Sequence, residues 1–557
     1  MRKFTVLLFA FVVLFSLQTR AQLMDGKPAV FTQKDSLRGT LSKFRACYDV
    51  NYYHLSVKID IAHKQISGMN AIHFKTMEDF QELQIDLFEN LKIDRIVFHD
   101  ELLKFKRVYN AVFVQFPQTI TKGTAEKIEV YYSGTPTIAK RAPWDGGLVF
   151  SKDENGEPWV AVACQGFGAS CWWPNKDHQS DEPDSMLISI SCPDTLVDIS
   201  NGRLRSIVKQ ADGYHQFNWF VHNPINNYDV TFNIGNYSHI QDNYFSNVKK
   251  ENLSLDYWVL KGYETKAKTQ FEQVKPMLAI FENRFGPYAF YEDGYKLVHS
   301  PYLGMEHQSC IAYGNGFKNG YRGFDLSGSG EGKKFDYIII HESAHEWWGN
   351  SLTSYDIADM WIHEGFGQYS EVIYLEDLYG KESANKYLNG LKRGVGNKEA
   401  VIGPYGVNQE GAGDMYPKGA LFLNTLRSVI HNDVIWYDIL KSLQEKYARK
   451  NISTNDVLKL MNEKSKMNLN ALFKQYLNVA SLAVLNVKIE ENKNGSTLSY
   501  NWDCETSDFN MPIQILVKGK TFLLNPTANK QELVLDKTKA REIEFDQTAY
   551  YYKLNLN

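Results

Sequence analysis

His341 and His345 stand four residues apart with Glu342 between them, and Glu364 follows after a further eighteen residues. Four residues turn a helix through about 400 degrees, so two imidazoles at that spacing lie one above the other on one face. Such a pair is a two-nitrogen clamp for a metal ion. A third ligand from another element would leave the fourth tetrahedral position open to water, as a catalytic zinc requires and a structural zinc does not. Two imidazoles and one carboxylate, with no thiolate, favour zinc over other metals. Glu342 lies about 100 degrees around the helix from His341, which places it to work on a water rather than on the metal. There it can take a proton during attack and return it to the leaving group.

The elements that must hold these residues are legible on either side. The apolar Ile338-Ile339-Ile340 enters the helix of the two histidines, and a second helix starting near Met360 carries Glu364. From Val50 to about Ile240 the pattern is mostly period two, with Leu55, Val57, Ile59 and Ile61 alternating with polar residues; Lys127 to Tyr132 and Met186 to Ser191 are also strand-like. After about Asn243 the texture changes. Glu264 to Phe285 has helical spacing and is stopped by Gly286-Pro287, and short strands follow at Tyr295 to His299 and Cys310 to Tyr313. A glycine-rich loop from Gly314 to Gly332 lacks the phosphate-binding pattern and is expected to be a mobile connection. Helical spacing then runs from Phe335 to about Asn478, broken by a second glycine-rich loop from Gly394 to Gly413. From Val484 alternation returns, with Asn494-Gly495 and Lys518-Gly519 as hairpin turns.

A chain of 557 residues exceeds one hydrophobic core and predicts several domains. With 61 basic and 65 acidic residues the net charge is -4, so no broad field recruits nucleic acid or an anionic membrane. Mean hydropathy is -0.39 with 43% hydrophobic residues, as in globular proteins. Arg2 and Lys3 precede an apolar run from Phe4 to Leu17 and then Thr19-Arg20-Ala21, which predicts a secretory signal cleaved after Ala21. The mature chain is then expected in the periplasm or outside the cell, with no membrane span. Six cysteines are few for such a chain; Cys164 with Cys171 or Cys192 is a conceivable bridge on which the fold need not depend.

The run Asp359-Met360-Trp361-Ile362-His363-Glu364-Gly365-Phe366-Gly367, placed eighteen residues beyond the histidine pair, resembles the aminopeptidase N group of zinc metallopeptidases. That group also includes the leukotriene epoxide hydrolase. Gly349-Asn350, directly after the histidine pair, is similar as well. The resemblance implies further roles. Pro301-Tyr302-Leu303-Gly304-Met305-Glu306-His307 looks like the family's GAMEN strand, whose glutamate binds the free α-amino group of a peptide; Glu306 would be that anchor, with Gly304 and Met305 lining the substrate. Leu303 and His307 depart from the pattern, which bears on strand shape and on the wall around the first side chain. Asp414-Met415-Tyr416-Pro417-Lys418-Gly419-Ala420 is similar to the YEKGA segment, so Tyr416 would support the oxyanion. Ala163-Cys164-Gln165-Gly166 resembles a segment that reaches into the active site, which makes Gln165 a second amine contact. Trp172-Trp173 is expected at the domain interface, and His363 beside the metal ligands or at an interface.

The resulting expectation is a multidomain α+β protein. A signal peptide over 1–21 precedes a β-rich, saddle-like N-terminal domain (22–242), a thermolysin-like α/β catalytic domain (243–481) and a small C-terminal β-sandwich (482–557). Many members continue with a large helical domain near where this sequence ends, so a more open cleft is expected. The function expected is that of a zinc aminopeptidase. One zinc ion is held by His341, His345 and Glu364; Glu342 is the base, Tyr416 supports the oxyanion, and Glu306, Gln165, Gly304 and Met305 bind substrate. Partners are peptides with a free N-terminus, and no oligomeric state is implied. Two other readings fit the same residues: a related zinc hydrolase on an epoxide-type substrate, and a non-catalytic peptide-binding protein.

Overall fold

In the computed structural model, which describes residues 30–556, strand Tyr48–Asp60 is the backbone of the N-terminal region. It pairs in parallel with Ser185–Pro193 and antiparallel with Gln65–Thr76, at the centre of an eight-stranded sheet. The register sets buried Tyr53 beside buried Met186 and Ile72, so the alternating apolar residues of three strands face one core. A three-stranded and a four-stranded sheet complete the region. The four-stranded sheet contains Pro158–Ala163, and the chain leaves that strand directly into Cys164-Gln165. Trp172 and Trp173, expected at an interface, instead pack inside this β-rich core, edge-on against Phe232 and Tyr53 respectively. Alternating strands on both sides offer indole-sized apolar space there.

A five-stranded sheet follows, in the order Tyr237–Phe245, Asn252–Leu260, Tyr295–His299, Ile311–Tyr313, Gly304–Met305. The position expected to end the first domain, 242/243, falls inside the first of these strands, which pairs with Asn252–Leu260 along its length. Gly304–Met305 is an edge strand, antiparallel to Ile311–Tyr313 with Gly304 opposite Tyr313. Next come the three helices that build the site: α1 (Tyr337–Ala344), α2 (Trp361–Tyr379) and α3 (Pro417–Ile430). All of α1 is buried, and α2 is buried continuously from Trp361 to Leu375, as for helices enclosed on every side. Gly365 and Gly419 let α2 and α3 touch: a Cβ on Gly419 would lie 2.7 Å from the Gly365 Cα. The helix expected over Glu264 to Phe285 is split by a tight turn at Phe271–Gln273.

The loop from Gly314 to Gly332 is tied down rather than loose. Asn315 donates to the carbonyls of Lys318 and Gly320 and to Asp336 at 2.7–2.8 Å, and Arg393 donates to the Leu326 carbonyl at 3.3 Å. At the C-terminal end a four-stranded and a three-stranded sheet form the small sandwich, with hairpins at Asn494-Gly495 and Lys518-Gly519. Its inward residues, Trp502, Ile513 and Ile515 among them, share one continuous core with the helices. The order of β-rich region, α/β region and sandwich is the one the sequence predicts. The expected signal segment lies outside the described residues, and no helix among them is long and apolar enough to cross a membrane. All six cysteines are unpaired.

Candidate active site

The start of α1 is fixed by Asp336, whose carboxylate accepts from the Ile338 and Ile339 amides at 3.1 and 3.3 Å and from the Tyr313 hydroxyl at 2.7 Å. At its other end the regular helix stops at Ala344, one residue earlier than the spacing suggests. The amides of Glu346 and Trp347 turn back to the carbonyls of Ser343 and Ala344, tightening the last turn, while His345 keeps helical dihedrals. Gly349 then adopts φ +142°, and a Cβ there would press to 3.3–3.4 Å from the Nδ1 atoms of His363 and His345. This close approach gives Gly349 a physical reason for its place after the histidine pair.

His341 Nε2 and His345 Nε2 lie 3.4 Å apart, and Glu364 Oε2 is 3.5 Å from the first and 3.4 Å from the second. A tetrahedron with bonds of about 2.0–2.1 Å has edges of about 3.3–3.4 Å, so the three atoms form one face of such a figure. Glu364 Oε2 is buried and takes no hydrogen bond. The opposite ring nitrogens are spoken for. His341 Nδ1 donates to Glu371 Oε1 at 2.7 Å and His345 Nδ1 to the Trp348 carbonyl at 2.9 Å, which leaves both Nε2 lone pairs aimed at the shared centre. Glu371 is itself held by Gln368 and the Tyr387 hydroxyl. An orphaned carboxylate oxygen and two lone pairs converging at these separations fit a divalent metal ion. Burial works against the charge of Glu364, yet the two imidazoles beside it hold its carboxyl well below the usual range.

Glu342 lines the same cleft. Burial first, then the charge of Glu306, pushes its carboxyl up to about 7 against the opposing pull of His341. Gly304 passes so close that a Cβ would lie 2.9 Å from Glu342 Oε1, which is why the edge strand has a glycine here. Tyr416 precedes α3, with Pro417 as its first residue, and its ring stacks beside His341 at 6.0 Å. Burial and then the charges of Glu364, Glu410 and Glu306 raise its pKa well above that of an ordinary phenol, so its hydroxyl keeps its proton.

Glu306 is fully enclosed. Gln165 Nε2 donates to its Oε1 and also reaches Glu364 Oε1 at 3.3 Å, while the Tyr228 hydroxyl donates to Glu306 Oε1 at 3.3 Å. Asn350 donates to the Glu306 carbonyl at 2.8 Å, locking the strand from the turn after α1. The nine residues singled out from the sequence are thus brought into one cleft of about 280 Å³: His341, Glu342, His345, Glu364, Gly304, Met305, Glu306, Gln165 and Tyr416 all line it. Of the two departures in the strand, Leu303 lines the cleft, whereas His307 is buried in the protein with its pKa pushed down to about 3 by burial. His363 is also buried; its Nε2 accepts from the Ser354 amide at 2.8 Å.

Two functional positions escaped the sequence reading. Glu371, which orients His341, stands seven residues after Glu364; two turns of α2 put both carboxylates on one face, a spacing that signals the pair. Glu410 lines the cleft from the second glycine-rich loop, where no periodicity points to it.

Residues 269–476 match the family model described as the peptidase family M1 domain. Among curated relatives, endoplasmic reticulum aminopeptidase 1 of Mus musculus is 24% identical over 294 residues, 50% of this chain and 30% of that protein. Leukotriene A-4 hydrolase of Xenopus laevis is 21% identical over 440 residues, 74% of this chain and 68% of that protein. The match to the first of these relatives spans under a third of that relative's own length. Among solved structures, an M1 zinc metallopeptidase mutant from Deinococcus radiodurans, bound to a Tyr-Ser-Ala substrate, gives a TM-score of 0.67 at 17% identity. The likeness, one of fold, covers 80% of this chain and 98% of that one.

Proposed function

We propose that this chain, whose residues 269–476 match the peptidase family M1 domain, is a zinc-dependent aminopeptidase of that family, cleaving the first bond of peptides with a free N-terminus. The observation that carries this reading is the position of Glu306: one side-chain amide, that of Gln165, spans from it to the Glu364 carboxylate. A buried carboxylate at that distance can take the α-ammonium of a substrate's first residue, and the pair then sets which carbonyl lies over the triad.

His341, His345 and Glu364 would hold the zinc, which when bound supplies a Lewis acid for the scissile carbonyl and for water at neutral pH. Glu342 takes the proton of the attacking water and delivers it to the leaving nitrogen, from its place in the cleft beside the triad. Tyr416 donates its hydroxyl to the oxygen on which negative charge develops, an interaction that strengthens toward the transition state. Gly304–Met305 presents the free edge of its sheet to the substrate main chain. Gln165 spends its amide nitrogen on the two carboxylates, so its amide oxygen is the acceptor left for the substrate amine. The apolar N-terminal run supports placing this activity in the periplasm or outside the cell.

A panel of fluorogenic aminoacyl amides tests the reading. Activity should disappear on chelation and return with stoichiometric zinc; turnover that survives complete metal removal would refute it.

A further inference from the structure

Four carboxylates line the cleft, those of Glu306, Glu342, Glu364 and Glu410, and none of its lining residues is lysine or arginine. Three have parts in the chemistry proposed above. Glu410 has none, and its place is set by the loop that carries it. The Gly406 carbonyl accepts from the Thr40 hydroxyl at 2.6 Å and its amide donates to Asp356 at 3.0 Å. Asn408 donates to the Gly166 carbonyl at 3.2 Å, and the Gly403 amide donates to the Ala358 carbonyl at 2.9 Å. Gly411 lies so close to Val401 that a Cβ would fall 1.7 Å from its carbonyl oxygen. Contacts from three separate parts of the chain thus hold the loop at the cleft wall.

Glu410 Oε1 stands 4.0 Å from the point where a Cβ on Gly166 would sit, directly after Gln165. It therefore faces the end of the cleft where Gln165 and Glu306 receive the amine, the end that holds the first residue of a substrate. The side chain is water-accessible within the cleft. Its carboxyl is raised by desolvation and then by repulsion from Glu364 and Glu306, with no hydrogen bond to relieve it. A carboxylate facing other carboxylates, with no lysine or arginine in the cleft lining and the two imidazoles turned toward Glu364, is completed by a cation that arrives with the ligand. A peptide can bring two: its α-ammonium, taken by Glu306, and the side chain of its first residue.

We propose that Glu410 is a specificity-determining residue that selects peptides beginning with lysine or arginine. This rests on the aminopeptidase reading and goes beyond it to a substrate class. A long aliphatic stem ending in a fixed positive charge can reach past Gln165 to Glu410, whereas a neutral side chain leaves the carboxylate unpaired and an acidic one is repelled.

The test compares kcat/KM of the zinc-loaded enzyme on arginine, lysine, leucine and glutamate amides, before and after Glu410→Gln. The parent should prefer arginine and lysine, and the arginine-to-leucine ratio should fall about 10–100-fold in the variant, the loss of one charged hydrogen bond. Inhibition by free arginine relative to free leucine should weaken in parallel, which guards against a folding defect in the variant. An unchanged ratio, with all substrates falling together, would overturn the proposal and make Glu410 a general amine contact. A parent that cleaves leucine amide as well as arginine amide would overturn it while leaving the aminopeptidase reading intact. A parent that cleaves no aminoacyl amide would remove both.

Discussion

The two halves of the cleft are built on opposite plans. On the metal side, each ring nitrogen not aimed at the centre has a protein partner, and the Glu371 carboxylate behind His341 has two further donors. On the substrate side, Glu306, Gln165 and Glu410 come from segments far apart in sequence and meet with more acceptors than donors. The first plan fixes ligand orientation before any metal arrives. In the aminopeptidase reading, the second keeps acceptors free for a cationic chain end. A site that must hold an ion in one geometry is rigidly partnered, and a site that must exchange substrates keeps its partners for them.

Substitutions on either side should separate these roles. Glu342→Gln changes neither a ligand nor an anchor; bound zinc measured by atomic absorption should stay stoichiometric, while kcat falls about 10²–10⁴-fold. Full activity in that variant would break the division at its centre. Tyr416→Phe removes only the donor to the developing charge, so kcat should drop about 10²–10³-fold with KM nearly constant. A large rise in KM with constant kcat would instead place Tyr416 on the binding side. Glu371→Gln should act on the metal side alone, weakening zinc affinity about 10–100-fold in a competition titration with a chelator. Unaltered affinity would show that orientation of His341 does not depend on its carboxylate partner.

The same contrast explains what the sequence revealed. His341 and His345 are joined by helical periodicity, so their spacing alone announced the clamp; Glu364 stands on a second helix, α2, where Glu371 follows it at a readable interval. Alternation likewise exposed the strands around Leu55, Met186 and Val484. Glu306, Tyr416 and Gln165 had no such signal of their own and were named through the family resemblance. Glu410 belongs to a loop whose shape comes from contacts with Thr40, Asp356 and Gly166, none of which leaves a local pattern. The Trp172-Trp173 pair was misplaced because large apolar residues suit a core and an interface equally, and only tertiary packing tells them apart.

The central claim, that Glu306 turns a metal hydrolase site into one that reads a free amine, is tested most directly by one pair of substrates. The kcat/KM of the zinc-loaded enzyme should be measured on an aminoacyl amide and on its N-acetylated twin. The free-amine substrate should be cleaved and the acetylated one resisted, with the selectivity lost in Glu306→Ala; equal cleavage of the two by the parent enzyme would contradict it.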